Sequence, residues 1–142
     1  MSRFSIVQDL LSGLREDVLT AWPVDECYIG PPRQEKTAPY AVVDTGDINS
    51  DWFSGGGTST NLLMDLQLKA YGLFAYPPAS INVKSEQLSR AEEITAILEA
   101  NEYYKGEGMM PIVSGVAFGT IDEKDQYEVE ITFSIRVEAL RG

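Results

Sequence analysis

The residues of this chain that could carry out catalysis are mainly carboxylates, because the sequence contains no histidine and a single cysteine, Cys27. Without histidine, the Ser-His and Cys-His nucleophile systems and the commonest zinc ligand are excluded. Three consecutive glycines, Gly55, Gly56 and Gly57, are a feature of phosphate-binding loops, but the next lysine is Lys69 and a strand pattern follows in place of a helix. The sequence therefore predicts no cofactor-binding site and no metal site.

One short motif could supply a catalytic carboxylate. The stretch Val42-Val43-Asp44-Thr45-Gly46 resembles the active-site loop of aspartic peptidases, whose small viral members place one such aspartate on each subunit of a homodimer. Three features count against the match. Asp47 adds a charge where a small residue is usual, and amphipathic helices occupy much of a chain that would have to be nearly all β. In addition, only three or four residues match the motif. A strand that ends in a polar turn accounts for the same residues, and we expect no enzymatic activity.

The charge of the chain argues against nucleic-acid binding. It has 22 acidic and 11 basic residues, a net charge of -11, and no base between residues 37 and 68, where Asp44, Asp47, Asp51 and Asp65 lie. Binding by phosphate neutralisation needs clustered Lys and Arg. These acids form either an ordinary solvated face or a surface that passes close to nucleic acid without binding it.

Composition also indicates where the chain is made. No apolar run is long enough to span a membrane, and the charged N-terminal segment is unlike a signal peptide. A single cysteine excludes an internal disulfide, so we expect synthesis in a reducing cytoplasm.

Two amphipathic helices are predicted. The first covers residues 5–21, and its buried stripe is Val7, Leu10, Leu11, Leu14, Val18 and Trp22. The second begins at Ser80 or Ser85 and ends at Asn101, with an apolar stripe of Leu88, Ala91, Ile94, Ile97 and Leu98.

Alternating apolar and polar residues predict the strands. One hairpin joins residues 40–48 to residues 61–71, and a second joins residues 112–121 to Gln126–Leu140; Cys27 to Ile29 is a short extended piece. The order is α-β-β-α-β-β. We expect a single α+β domain over residues 1–142, with a largely antiparallel sheet of about four strands and both helices on one face.

This layout resembles the tail terminator (tail-completion, or head–tail joining) proteins of long-tailed bacteriophages over nearly its full length. The similar parts are an amphipathic first helix, the strand Pro39-Tyr40-Ala41-Val42-Val43, an alternating strand that ends at Ala70-Tyr71-Gly72, a helix with the pattern of Ala91 to Leu98, and a closing hairpin.

The resemblance implies a structural protein of the virion, without catalytic residues or membrane contact, that is assembled in the host cytoplasm. It implies a hexameric ring that caps the head-proximal end of the tail tube, ends tube polymerisation and docks on the head connector or stopper protein. DNA would pass through the ring without specific binding, which the acidic excess suits.

Trp52 and Phe53, followed by Gly55, Gly56 and Gly57, are the candidate interface with a neighbouring subunit or the tail tube, since tryptophan is enriched among interface hot spots. Alternatively, both rings pack back onto their own sheet. Three other functions remain open: another neck or head-completion (stopper-type) component, the homodimeric peptidase, and a small-ligand-binding domain with the glycine segment as a lid.

Overall fold

The computed structural model describes residues 3–52, 61–100, 102–105 and 108–140. Two helices and a largely antiparallel sheet give the α+β fold that the sequence predicts. The elements in chain order are α1 (Arg3–Ala21), β1 (Cys27–Ile29), β2 (Tyr40–Trp52), β3 (Asn61–Ala75), α2 (Val83–Leu98), β4 (Tyr103–Tyr104), β5 (Gly108–Ile121), a 3₁₀ turn (Asp122–Lys124) and β6 (Gln126–Leu140).

The sheet has six strands in the described residues, in the order β1-β2-β3-β6-β5-β4. Only β1 and β2 are parallel, and the central pair β3–β6 stays in register from Asn61 opposite Leu140 to Ala75 opposite Gln126. Two strands are present beyond the expected four: β1 coincides with the short extended piece predicted at Cys27 to Ile29, whereas β4 was not predicted. A strand of two residues is too short for an alternating pattern to identify it.

Both helices pack on one face of the sheet, as predicted. The alternation in β6 places Tyr127, Val129, Ile131, Phe133, Ile135 and Val137 on the buried side. The predicted stripe of α1 is buried against them, with Leu10, Leu14 and Val18 fully inaccessible. One continuous core therefore lies between the helices and the sheet.

The predicted stripe of α2 is wrong at one position. The buried residues are Gln87, Ala91, Ile94 and Leu98, whereas Leu88 is 54% exposed. Gln87 can be buried because its side-chain Nε2 donates to the backbone oxygen of Gly119 at 2.9 Å, so the polar amide keeps a partner inside the protein.

The end of α1 is joined to α2 and β3 by aromatic packing. Trp22 lies edge-on to Phe74, with ring centroids 5.4 Å apart, and its Nε1 donates to the backbone oxygen of Arg90 at 2.9 Å. Gly72 lies directly beneath both rings. An added Cβ there would lie 2.5 Å from Phe74 Cε2 and 2.8 Å from Trp22 Cζ3, so the packing depends on the missing side chain.

The short strand β4 fastens one edge of the sheet to α1. Tyr104 is buried, its ring meets Phe133 edge-on, and its hydroxyl donates to Asp17 Oδ2 at 2.5 Å, whereas Tyr103 is exposed. Burial, and then this hydrogen bond, raise the pKa of Tyr104 above its ordinary value.

Neither α1 nor α2 combines the length and hydropathy needed to cross a membrane.

Candidate assembly surface

The most distinctive surface is the outer face, which we define as the side of the sheet turned away from the helices. No helix covers it in the described part of the chain. Its side chains are alternate residues of the long strands, which the register places side by side. They include Tyr40, Val42 and Asp44 of β2; Leu63, Asp65, Gln67, Lys69, Tyr71 and Leu73 of β3; Gln126, Glu128, Glu130, Thr132, Ser134, Arg136 and Glu138 of β6; and Ile112, Gly115, Ala117, Gly119 and Ile121 of β5.

The outer face is predominantly acidic. Among its described side chains five are carboxylates and two are basic: Asp44, Asp65, Glu128, Glu130 and Glu138 against Lys69 and Arg136. Asp65 and Arg136 form an exposed ion pair with Nε and Oδ1 2.9 Å apart. An exposed pair of this kind stabilises the fold by at most about 1 kcal/mol. Because this pair neutralises one charge of each sign, the outer face keeps its excess of negative charge.

Tyrosines cover one end of the outer face. The rings of Tyr28, Tyr40 and Tyr71 follow one another with centroids 6.3 and 6.5 Å apart. The hydroxyl of Tyr71 donates to Glu128 Oε2 at 2.6 Å. Burial, followed by this hydrogen bond to a carboxylate, raises the pKa of Tyr71, so the phenol stays protonated in the acidic surroundings.

An open cavity of about 470 Å³ lies between these tyrosines and the loop of residues 31–39. Its lining includes the rings of Tyr40 and Tyr71 and two cations, Lys36 and Lys124. Glu35 forms an ion pair with Lys124, with Nζ and Oε1 3.4 Å apart, so within this lining Lys36 is the cation left uncompensated, and its ammonium lies 5.2 Å from the Tyr28 ring centroid. Among the described residues, no three His, Cys, Asp or Glu side chains come together as a metal site.

The peptidase-like motif lies inside a paired strand. Asp44 is directly opposite Lys69 of β3, and its Oδ1 accepts the backbone N–H of Thr45 at 2.8 Å. The hydroxyl of Thr45 donates to the backbone oxygen of Gln67 at 3.2 Å, and the strand shifts register between Thr45 and Ile48. The expected polar turn is therefore an irregularity within β2, which continues to Trp52.

The predicted interface residues fall mostly outside the described part of the chain. The backbone of Trp52 ends β2 and pairs with Leu62, but its side chain lies outside the described residues. Phe53, Gly55, Gly56 and Gly57 also lie outside them. Their role as a contact with a subunit or tail tube remains a prediction.

The sequence patterns did not identify a further feature, the free side of β5. This strand pairs with β6 along its length, but β4 reaches only Gly108 and Met109 on the other side. Residues 108–121 contain no charged side chain, and Ile112 and Val116 are 59% and 42% exposed. The sequence feature that could have indicated this free side is the absence of charged residues over the 14 residues of the strand.

Comparison with known proteins gives little further guidance. No family model and no curated protein matches the chain. Among solved structures, it is similar to a chain from the virion of the native gene transfer agent (GTA) particle, with 16% sequence identity and a TM-score of 0.45 over 93% of this chain and 91% of that one. A similarity this distant carries no conclusion about function.

Proposed function

We propose that this chain is a structural protein of a virion, of the tail-terminator kind. In this proposal about six copies form a ring at the head-proximal end of the tail tube, stop tube polymerisation and join the tail to the head connector. The chain acts by assembly and performs no catalysis.

The observation that carries the proposal is the outer face of the sheet. It lacks a helix layer in the described residues and holds five carboxylates against two bases. A ring with this face turned to its centre would present negative charge to a passing DNA duplex. Like charge keeps phosphates from binding, so the duplex could slide.

The ring itself is tested by mass in solution and negative-stain imaging. We expect a multimer with an open centre; a compact monomer or a two-fold dimer at all concentrations would refute the proposal. A stopper-type joining protein would also form a ring, so the two are separated by mixing purified ring with tail tube or with head connector. A terminator stops tube growth, whereas a stopper binds the connector alone.

The lining role is tested by reversing charge on the outer face. Glu130→Lys combined with Asp65→Lys should convert a ring that leaves double-stranded DNA free into one that retains it, with affinity falling steeply between about 50 and 200 mM salt. The matched control is Glu92→Lys with Glu102→Lys, which changes the same charge at exposed positions away from this face. Equal DNA retention by both variants would contradict the lining role.

The proposed contact residues are Trp52 and Phe53, with Gly55, Gly56 and Gly57 supplying backbone freedom. Trp52→Ala and Phe53→Ala should weaken subunit or tube association while unfolding stays cooperative. Tyr103→Ala is the control, since Tyr103 is an aromatic residue that is 56% exposed elsewhere. Unchanged association would mean that the two aromatic side chains only pack internally.

The peptidase alternative is tested at Asp44. If a proteolytic activity can be measured and Asp44→Asn abolishes it while the fold is retained, the assembly proposal loses its claim that no catalysis occurs. We expect no activity to abolish, because Asp44 is opposite Lys69 within a paired strand.

A further inference from the structure

The free side of β5 is protected over only half of its length. In the first half Pro111 has no N–H to offer a partner, the register shifts twice, and Glu99 Oε2 accepts the N–H of Val113 at 2.9 Å. Residues 115–121 have no proline, no charge and an unbroken register. Such an edge readily pairs with another strand, and most proteins protect it.

The opposite edge of the sheet is open in a different way. β1 pairs with β2 only from Ala41 to Val43, so residues 44–52 have no strand on that side within the described ranges. This stretch carries the carboxylates of Asp44 and Asp47 and a register shift, which oppose pairing of two identical copies of this edge. Each copy therefore has two unlike free edges, one uncharged and one acidic.

We propose that residues 115–121 of β5 accept a strand from a second copy of this chain, and that this strand is residues 44–52 of its β2. The proposal rests on the proposed ring for the number of copies and identifies the surfaces that join them. A contact between two different edges is heterologous, the kind that a ring requires.

The strand directions fit such a contact. Three antiparallel pairings separate β2 from β5, so the two run in opposite directions within one copy. Asp44 is level with Gly115 through Lys69 and Thr132, so the free stretches point to opposite ends of the sheet. They can meet only if neighbouring copies are displaced along the strands, which a closed ring allows when its strands are inclined to the ring axis, as in a β-barrel. An inclination of less than a right angle keeps the sense of the strands, so β5 of one copy still meets β2 of the next in antiparallel orientation.

Side chains on the helix side of the two edges are complementary. Val116 lies opposite buried Ile131, so its exposed side chain is on the helix side. Ile48 lies opposite buried Leu66, so in the second copy it falls on the same side and can pack against Val116.

Placing a charge on the uncharged edge tests the proposal. Val116→Lys should raise the dissociation constant for self-association about 100-fold or more, since on the helix side the ammonium would be buried against Ile48, whereas Asp44 of the partner strand lies on the outer face. The melting temperature of the monomer should change little, because Val116 is partly exposed. Ile112→Lys is the control, an exposed apolar residue in the protected half of the same strand, and should assemble like the original. Sedimentation velocity over a dilution series measures both.

The outcomes separate this proposal from the ring itself. Normal assembly of the Val116→Lys variant, or equal loss in both variants, would overturn the edge contact and leave the ring intact. If the original chain forms assemblies that are not rings, and Val116→Lys abolishes them, the edge contact is supported and the ring is refuted. A chain that never self-associates would refute both.

Crosslinking tests the choice of partner strand. Cys27 is buried, so cysteines introduced at Val116 and Ile48 can be joined selectively with a short bis-maleimide. The double variant should give a ladder of multimers, and neither single variant should. A crosslinked dimer from Val116→Cys alone would mean that β5 pairs with β5, and no ladder from the double variant would also reject the β5–β2 contact.

Discussion

Replacing Gly72 by alanine tests the packing beneath the aromatic residues that join α1, α2 and β3. The added methyl carbon would lie 2.5 Å from Phe74 Cε2 and 2.8 Å from Trp22 Cζ3, far inside van der Waals contact. Trp22 and Phe74 are only 2% and 3% exposed, and Trp22 is also held by its hydrogen bond to Arg90. Neither ring can move into solvent, so the neighbouring strand and helix must shift.

Overpacking of this kind costs about 1–3 kcal/mol, against a gain of about 0.5–1 kcal/mol from the reduced freedom of the unfolded chain. The net effect should still be destabilising. For a domain of this size each kcal/mol corresponds to about 4 °C of melting temperature. We therefore expect Gly72→Ala to melt several degrees lower than the original chain.

The matched control is Gly115→Ala, because an added Cβ at Gly115 meets nothing within 4 Å. Chemical and thermal unfolding of both variants, followed by circular dichroism at low concentration, gives the comparison. Phe74→Leu should cost less in the Gly72→Ala background than alone, since it removes the clash. If Gly72→Ala melts no lower than Gly115→Ala, the steric argument is refuted.

Two further predictions concern the start of α2 and the buried tyrosine. Asn82→Ala should lower the free energy of unfolding by about 1 kcal/mol, because Asn82 Oδ1 accepts the N–H groups of Lys84 and Ser85 at 2.8 and 3.4 Å. Asn82→Asp should retain the cap, so equal melting temperatures of the two variants would contradict this role of Asn82. The pKa of Tyr104 is raised in the folded chain, so its contribution to stability is present below about pH 10 and is lost as the pH rises further. The melting temperature between pH 9 and 11 should fall more steeply for the original chain than for Tyr104→Phe. Parallel curves would show that burial and the hydrogen bond to Asp17 do not raise the pKa of Tyr104.

The sequence predicted the elements whose side chains alternate or repeat strictly. β6 begins and ends at the predicted residues, and polar and apolar residues alternate in it from Gln126 to Ala139. In α2 the pattern favoured Leu88 over Gln87, because periodicity registers hydrophobicity and not the backbone oxygen of Gly119 that accepts the buried amide. The choice depends on a contact 32 residues away.

The site was predicted less completely than the fold. The acidic excess and Asp44 were visible in the sequence, but the outer face emerges only from the register of β2, β3 and β6, which sets Tyr71 beside Glu130 from a distant strand. The free side of β5 depends on strand order. A local sequence pattern does not show which strands will have a neighbour on one side only.

The position of β6 in the sheet has a consequence for when the fold can form. It follows all the other described strands in the chain, yet it lies between β3 and β5. Until β6 is synthesised, β1-β2-β3 and β5-β4 are two separate sheet fragments without a shared core. Most of the pairing that completes the sheet is long-range and therefore slow to form. A ribosome-bound chain that stops before residue 126 should therefore remain unfolded and unable to bind a partner. Only chains that include β6 would enter an assembly.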